Sequence, residues 1–187
     1  MYAHKIYISH FDHEFCSKIT SLASILLDAH LNTSNFKLPT YNGTNHTNIL
    51  FYSDAIKELP ELSFIMEDCN LTILSVPTMG FVPPNKVMGV HTDKYGCIAK
   101  ILLPIWPIQN SHPLNFYDEP NGDPIFSINT DSGHPIVFDC NKLHGGINTY
   151  DNWRTNLQFK FAEPFDVVVE MIRDNTLFKT IETKLLD

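Results

Sequence analysis

The sequence predicts a mainly β domain with flanking helices. Three patterns carry that prediction. Arg154 to Phe161 alternates with period two, with Arg154, Asn156, Gln158 and Lys160 on one face and Thr155, Leu157, Phe159 and Phe161 on the other. Apolar runs near 87–90, 96–106 and 133–139 are short and bounded by glycine and proline, as strands are. A helical period is clear only near the beginning, where Phe15, Ile19, Leu22, Leu26 and Ala29 fall near one stripe. With 187 residues, no internal repeat and no linker-like composition, the chain reads as one domain, 1–187, with a sizeable core.

The elements follow in order. Residues 5–8 (KIYI) suit a first strand. Asp12 is placed to cap a helix over 13–30, whose apolar stripe is expected on the outer face of the sheet. Residues 32–48 are rich in Asn, Thr and Gly and read as a long loop. A second helix is expected over 53–68, broken or bent at Pro60. Residues 71–76 (LTILSV) read as a core strand. In this division 1–70 supplies supporting helices and a loop, and 71–165 the β core. Within 109–131, Pro113, Pro120, Gly122 and Pro124 punctuate a hairpin and loops.

Composition narrows the function. Thirteen basic against 21 acidic residues give a net charge of -8, which repels phosphate backbones and argues against nucleic acid as a partner. No secretory signal opens the sequence and no apolar run approaches a membrane span, so a cytoplasmic protein with no membrane partner is expected. Cys16, Cys69, Cys97 and Cys140 are widely spaced and read as reduced thiols. The N-x-S/T triplets at Asn32, Asn42, Asn45 and Asn70 then read as accidents of an asparagine-rich chain.

The chemistry concentrates in His91-Thr92-Asp93, His144 and Arg154. On a strand, His91 and Asp93 share a face while Thr92 points away. His144 must arrive from a strand that returns beside the first. Two imidazoles and one carboxylate bind a metal by one face and leave positions open, an arrangement suited to non-haem Fe(II). A lone H-x-D has little specificity; a surface loop or a buried hydrogen-bonded pair carries it too. Arg154, ten residues after His144, sits on the polar face of its strand. If helices cover the apolar face, that polar face lines a cavity, and a buried guanidinium there needs an anion. Its planar fork matches a carboxylate. For Gln158 and Lys160 a solvated edge face serves equally. Tyr117 either presents its hydroxyl to the cavity or packs as an aromatic with an exposed tip. Lys100 either faces inward or snorkels to the surface. The remaining histidines, His134 among them, have no spacing partner.

With these residues in view, the chain resembles the Fe(II)/2-oxoglutarate-dependent dioxygenase superfamily, in its compact, prolyl-hydroxylase-like form. The family pattern of H-x-D, a histidine about fifty residues on, and a basic residue about ten further is met by His91, Asp93, His144 and Arg154. The run from Gly133 to Phe159 is similar to the stretch carrying the distal ligand, and the likeness extends over roughly 71–165. The resemblance implies a double-stranded β-helix (jelly-roll) core, Fe(II), 2-oxoglutarate as co-substrate and O2. It also implies Arg154 on the C5 carboxylate of 2-oxoglutarate. Where relatives place serine two residues after the arginine, this chain has Asn156. The implied activity is hydroxylation of a small polar metabolite or an amino-acid side chain. The presence of Asp93 points away from halogenation, because related halogenases lack that carboxylate. A jelly-roll binding module without redox activity and a zinc hydrolase are the other readings. A cavity arginine is superfluous to the first, and the second lacks an evident general base.

Overall fold

A computed structural model describes residues 1–41, 49–93, 96–106, 112–131 and 133–186. Among them the elements run β1 (Ala3–Ile8), α1 (His13–Asn32), β2 (Thr40–Tyr41), β3 (Ile49–Tyr52), α2 (Ala55–Glu58) and α3 (Pro60–Asp68). Then come β4 (Thr78–Val82), β5 (Lys86–His91), β6 (Ala99–Trp106), β7 (His112–Tyr117) and β8 (Phe126–Thr130). The chain ends with β9 (Ile136–Asp139), β10 (Leu143–Asn148), β11 (Arg154–Phe161), α4 (Phe165–Arg173) and β12 (Thr183–Leu185). An eight-stranded sheet has the order β12-β1-β9-β6-β11-β4-β3-β2, and a four-stranded sheet the order β5-β10-β7-β8. The paired strands are antiparallel.

The period-two strand β11 shows why the sheets stack as they do. It lies in the middle of the larger sheet, paired with β6 on one side and β4 on the other. Its apolar face, Leu157, Phe159 and Phe161, joins a core with Phe15 and Ile19 of α1, Leu62 and Ile65 of α3, and Val168 and Ile172 of α4. Burying each such side chain stabilises by roughly 1.5–3 kcal/mol. The helices therefore take one face of the large sheet. The other face turns towards the small sheet, where Leu102, Ile136 and Phe138 meet Leu114 and Phe116. Two antiparallel sheets closed on an inner core, with helices outside, form the expected jelly roll.

Local signals explain much of the helical layer. Asp12 Oδ1 accepts from the Phe15 amide at 2.8 Å, starting α1 where the sequence predicts it. Pro60 occupies the first turn of α3, and the expected break divides the second helix into α2 and α3.

Other expectations are corrected. Residues 71–76 form no strand; they touch the sheet at one bridge, Ile73 to Phe161, and Leu74 and Val76 are exposed. The place beside β4 is taken by β3 instead. The strand-like composition of 71–76 is a local property, whereas a strand exists only where a partner edge is free. Supporting elements are not confined to 1–70 either. α4 packs into the core, β12 pairs with β1, and β1 itself joins the large sheet through β9. The hairpin expected in 109–131 is β7 with β8. The 42–48 part of the long loop, with Asn42 and Asn45, and residues 107–111 lie outside the described residues. Among the described residues no helix is long and apolar enough to cross a membrane.

Candidate metal centre and adjoining arginine

β10 returns beside β5 and sets His144 opposite His91. The ladder shifts register between His144 and Gly146, and the two imidazole centroids stand 4.4 Å apart. Asp93 follows just beyond β5, its amide donating to the Cys140 carbonyl at 3.0 Å. Strand alternation and this one backbone bond bring the carboxylate to the imidazoles. Asp93 Oδ1 is 3.8 Å from His91 Nε2, and Oδ2 is 3.8 Å from His144 Nε2. The three ligand atoms lie within 4.8 Å of one another.

The protonation of this cluster suits a metal. His91 Nδ1 is 2.7 Å from the Gly89 carbonyl, and His144 Nδ1 is 2.8 Å from the Lys142 carbonyl. A carbonyl only accepts, so both Nδ1 atoms carry hydrogen. Burial pushes the His91 pKa down and, with His91 as neighbour, the His144 pKa down to about 3. Both rings are therefore neutral near pH 7 and turn Nε2 lone pairs towards the cluster. Burial alone would raise the Asp93 pKa, but the Lys100 charge, foremost among the opposing influences, holds it well below the usual carboxylate range. Lys100 Nζ stands 2.6 Å from Asp93 Oδ2, a close buried ion pair. Lys100 is itself buried, and its pKa is nonetheless raised: desolvation lowers it, but the Asp93 charge and hydrogen bond together with the neighbouring Cys140 and Cys97 outweigh that. Two neutral nitrogens and one anionic carboxylate, all within 4.8 Å of one another, are a donor set that fits Fe(II).

Arg154 begins β11 on the face turned to the small sheet. It is 5% exposed, and its Nη2 donates to Thr130 Oγ1 at 3.1 Å. Among the described residues no carboxylate lies within ion-pair distance of it. Burial lowers its pKa to about 10, still far above neutrality, so the guanidinium remains charged. Gly146 makes room here. A Cβ at that position would lie 3.5 Å from Arg154 Nη1 and 3.2 Å from the Pro113 carbonyl. A buried cation with one hydroxyl partner is an incomplete arrangement that a carboxylate would complete.

The other sequence candidates fall differently. Asn156 is buried on the same face as Arg154, where its Oδ1 accepts from Gln158 Nε2 at 2.8 Å. Both carboxamides lie over Gly80 of β4, where a Cβ would be 3.2 Å from each. Tyr117 does not join the cluster. Its neighbour Phe116 points inward against Phe138 and His144, so alternation turns Tyr117 away. Thr130 was not singled out by sequence; a hydroxyl at the end of a hairpin strand carries no motif. Lys100 takes the inward orientation, close over the Phe138 ring.

No protein-family model and no curated protein matches the sequence. Solved structures do match the fold. A Pseudomonas putida prolyl-4-hydroxylase aligns over 86% of this chain and 94% of its own, at TM-score 0.54 and 13% identity. HygX from Streptomyces hygroscopicus, solved with nickel, 2-oxoglutarate and hygromycin B bound, aligns over 85% and 82%, at TM-score 0.57 and 11% identity. A 2OG-Fe(II) oxygenase family oxidoreductase from Burkholderia pseudomallei aligns over 83% of each chain, at TM-score 0.50 and 12% identity. At such identities the likeness is one of backbone architecture. The chain has the fold of the Fe(II)/2-oxoglutarate oxygenases.

Proposed function

We propose that this protein is an Fe(II)/2-oxoglutarate-dependent dioxygenase that hydroxylates a small polar metabolite or an amino-acid side chain. The observation that carries the reading is Arg154. It is a buried, charged guanidinium without a carboxylate partner among the described residues, and the strand pair that holds the His91–Asp93–His144 cluster also supplies the glycine beside it. A cupin-like binding module has no need for an arginine ten residues after the last ligand, and the zinc-hydrolase reading lacks an evident general base.

His91, Asp93 and His144 would hold the metal through Nε2, a carboxylate oxygen and Nε2. Arg154 would hold the far carboxylate of 2-oxoglutarate, with the Thr130 hydroxyl as its positioning partner and Asn156 further along the same strand. Bound iron, with O2 and 2-oxoglutarate, supplies the oxidising power for C–H hydroxylation, with succinate and CO2 as co-products. The chain's own part is orientation and exclusion of water, and Phe116 and Phe138 pack against the His144 ring for that purpose. With metal bound, Asp93 would take the place that a halide needs, which favours hydroxylation over halogenation.

HygX was solved with hygromycin B bound, and the Pseudomonas neighbour is a prolyl-4-hydroxylase. These two kinds of substrate bracket the proposal, and the net charge of -8 argues against a nucleic acid. A reducing compartment such as the cytoplasm suits Fe(II) and four free thiols. The test is a screen for substrate-stimulated succinate formation over amino acids, peptides and nucleosides. Stimulation by amino acids or small polar compounds supports the proposal. Stimulation by oligonucleotides alone overturns the substrate class, and absence of 2-oxoglutarate turnover throughout favours the binding module.

A further inference from the structure

Two buried thiols adjoin the metal cluster and have no part in the oxygenase reading. Cys97 and Cys140 are 5% and 0% exposed, and their sulfurs stand 3.4 Å apart. Each sulfur and a carboxylate oxygen of Asp93 lie within 4.8 Å of one another. The backbone locks the three residues together. The Cys140 amide donates to the Ile98 carbonyl at 2.8 Å, next to Cys97, and the Cys140 carbonyl accepts from Asp93 at 3.0 Å. One residue thus ties both others into a fixed group of donors.

We propose that Asp93, Cys97 and Cys140 form a second metal site, one that takes a thiophilic divalent cation such as Zn(II). Two thiolates at about 2.3 Å from a tetrahedral ion stand about 3.8 Å apart. The observed separation of 3.4 Å needs an opening of a few tenths of an ångström to reach that. A disulfide, with its bond near 2.05 Å, requires a far larger closure. The ligand softness differs from that of the histidine set: sulfur selects Zn(II) and its heavier congeners, while imidazole and carboxylate suit Fe(II). Charge also balances. Two thiolates and one carboxylate offset the divalent ion and the Lys100 ammonium, which stands 2.6 Å from Asp93. Three protein donors leave a fourth position for water. Asp93 belongs to both sets, so a thiophilic ion draws on the carboxylate that the histidine set needs.

The probe is Cd(II), titrated anaerobically into the full chain with a non-thiol reductant and no 2-oxoglutarate. A Cys16→Ser background removes the half-exposed thiol elsewhere. A sulfur-to-metal charge-transfer band should grow to one equivalent. It should persist in His144→Ala, and affinity should fall at least tenfold in Cys97→Ser and in Cys140→Ser. X-ray absorption of the parent loaded with one equivalent needs no further variant and should count two sulfur neighbours. Fewer than two sulfurs overturns the proposal, as does a band that the serine variants leave intact. Because His144→Ala disables only the histidine set, failure of the oxygenase reading leaves this result standing, and the reverse also holds.

Discussion

His144 is the cross-strand partner of His91, and the two rings stand 4.4 Å apart although 53 residues separate them in sequence. Each ring is held at Nδ1 by a carbonyl two residues before it, Gly89 for one and Lys142 for the other. The same local device therefore acts twice, once on each strand. It fixes tautomer and orientation without a distant partner, so both Nε2 atoms are turned towards Asp93 by local backbone alone.

Replacing His144 with alanine leaves one imidazole and one carboxylate. Affinity for Fe(II), or for Co(II) as a stable surrogate, should fall by more than about 100-fold, exceeding the usual effect of losing an outer partner. Anaerobic calorimetric titration measures this. An unchanged affinity would remove the triad from the metal site.

Arg154→Ala should weaken 2-oxoglutarate binding by roughly 2–5 kcal/mol while Fe(II) binding survives. Thr130→Val, which removes only the hydroxyl partner of the guanidinium, should cost about 1 kcal/mol. Titration of the visible band formed by Fe(II) and 2-oxoglutarate under nitrogen reads both. Equal affinities in parent and Arg154→Ala would place the co-substrate carboxylate elsewhere.

Acid should destabilise the metal-free protein through its buried imidazoles. In the unfolded chain a histidine takes a proton near pH 6.5. In the folded chain burial pushes the His91 pKa down and the His144 pKa to about 3. Below about pH 6.5 the unfolded state thus binds more protons, and stability falls as pH falls, by up to about 1.4 kcal/mol per pH unit for each such histidine. Urea midpoints of the metal-free chain at pH 7 and pH 5 test this. A midpoint no lower at pH 5 would mean that the rings ionise freely in the fold.

Asp68 ends α3 and anchors the C-terminal segment. Its carboxylate accepts from the Thr180 and Ile181 amides, both at 3.0 Å, and from the Thr180 hydroxyl at 2.9 Å. Asp68→Ala strands those donors and should cost about 2–3 kcal/mol. The loss should appear in the urea midpoint, with Fe(II) and 2-oxoglutarate affinities unchanged. Equal stability would show that the segment is held by the packing of Leu177 and Phe178 alone.

What the sequence by itself determined is local or periodic. The face alternation of 154–161, the Asp12 cap, the Pro60 break and the H-x-D spacing each depend on residues a few positions apart. Chain geometry converts them directly into faces and ends. The shared face of His91 and Asp93 was legible for that reason, whereas His144 and Arg154 were legible through the resemblance, whose pattern asks for a histidine about fifty residues on and a basic residue about ten further. The tertiary structure decided what depends on partners far along the chain. LTILSV at 71–76 has strand-like composition but meets the sheet only at the end of β11, through the Ile73–Phe161 bridge, beyond the stretch that β4 pairs. Lys100 turned inward because Asp93 offers its ammonium an anion that bulk water would otherwise replace. Thr130 beneath Arg154, and the Cys97–Cys140 pair beside Asp93, are contacts between segments 24 and 43 residues apart. No pattern in either segment announces them, since a hydroxyl or a thiol acquires its role only from the neighbour that folding supplies.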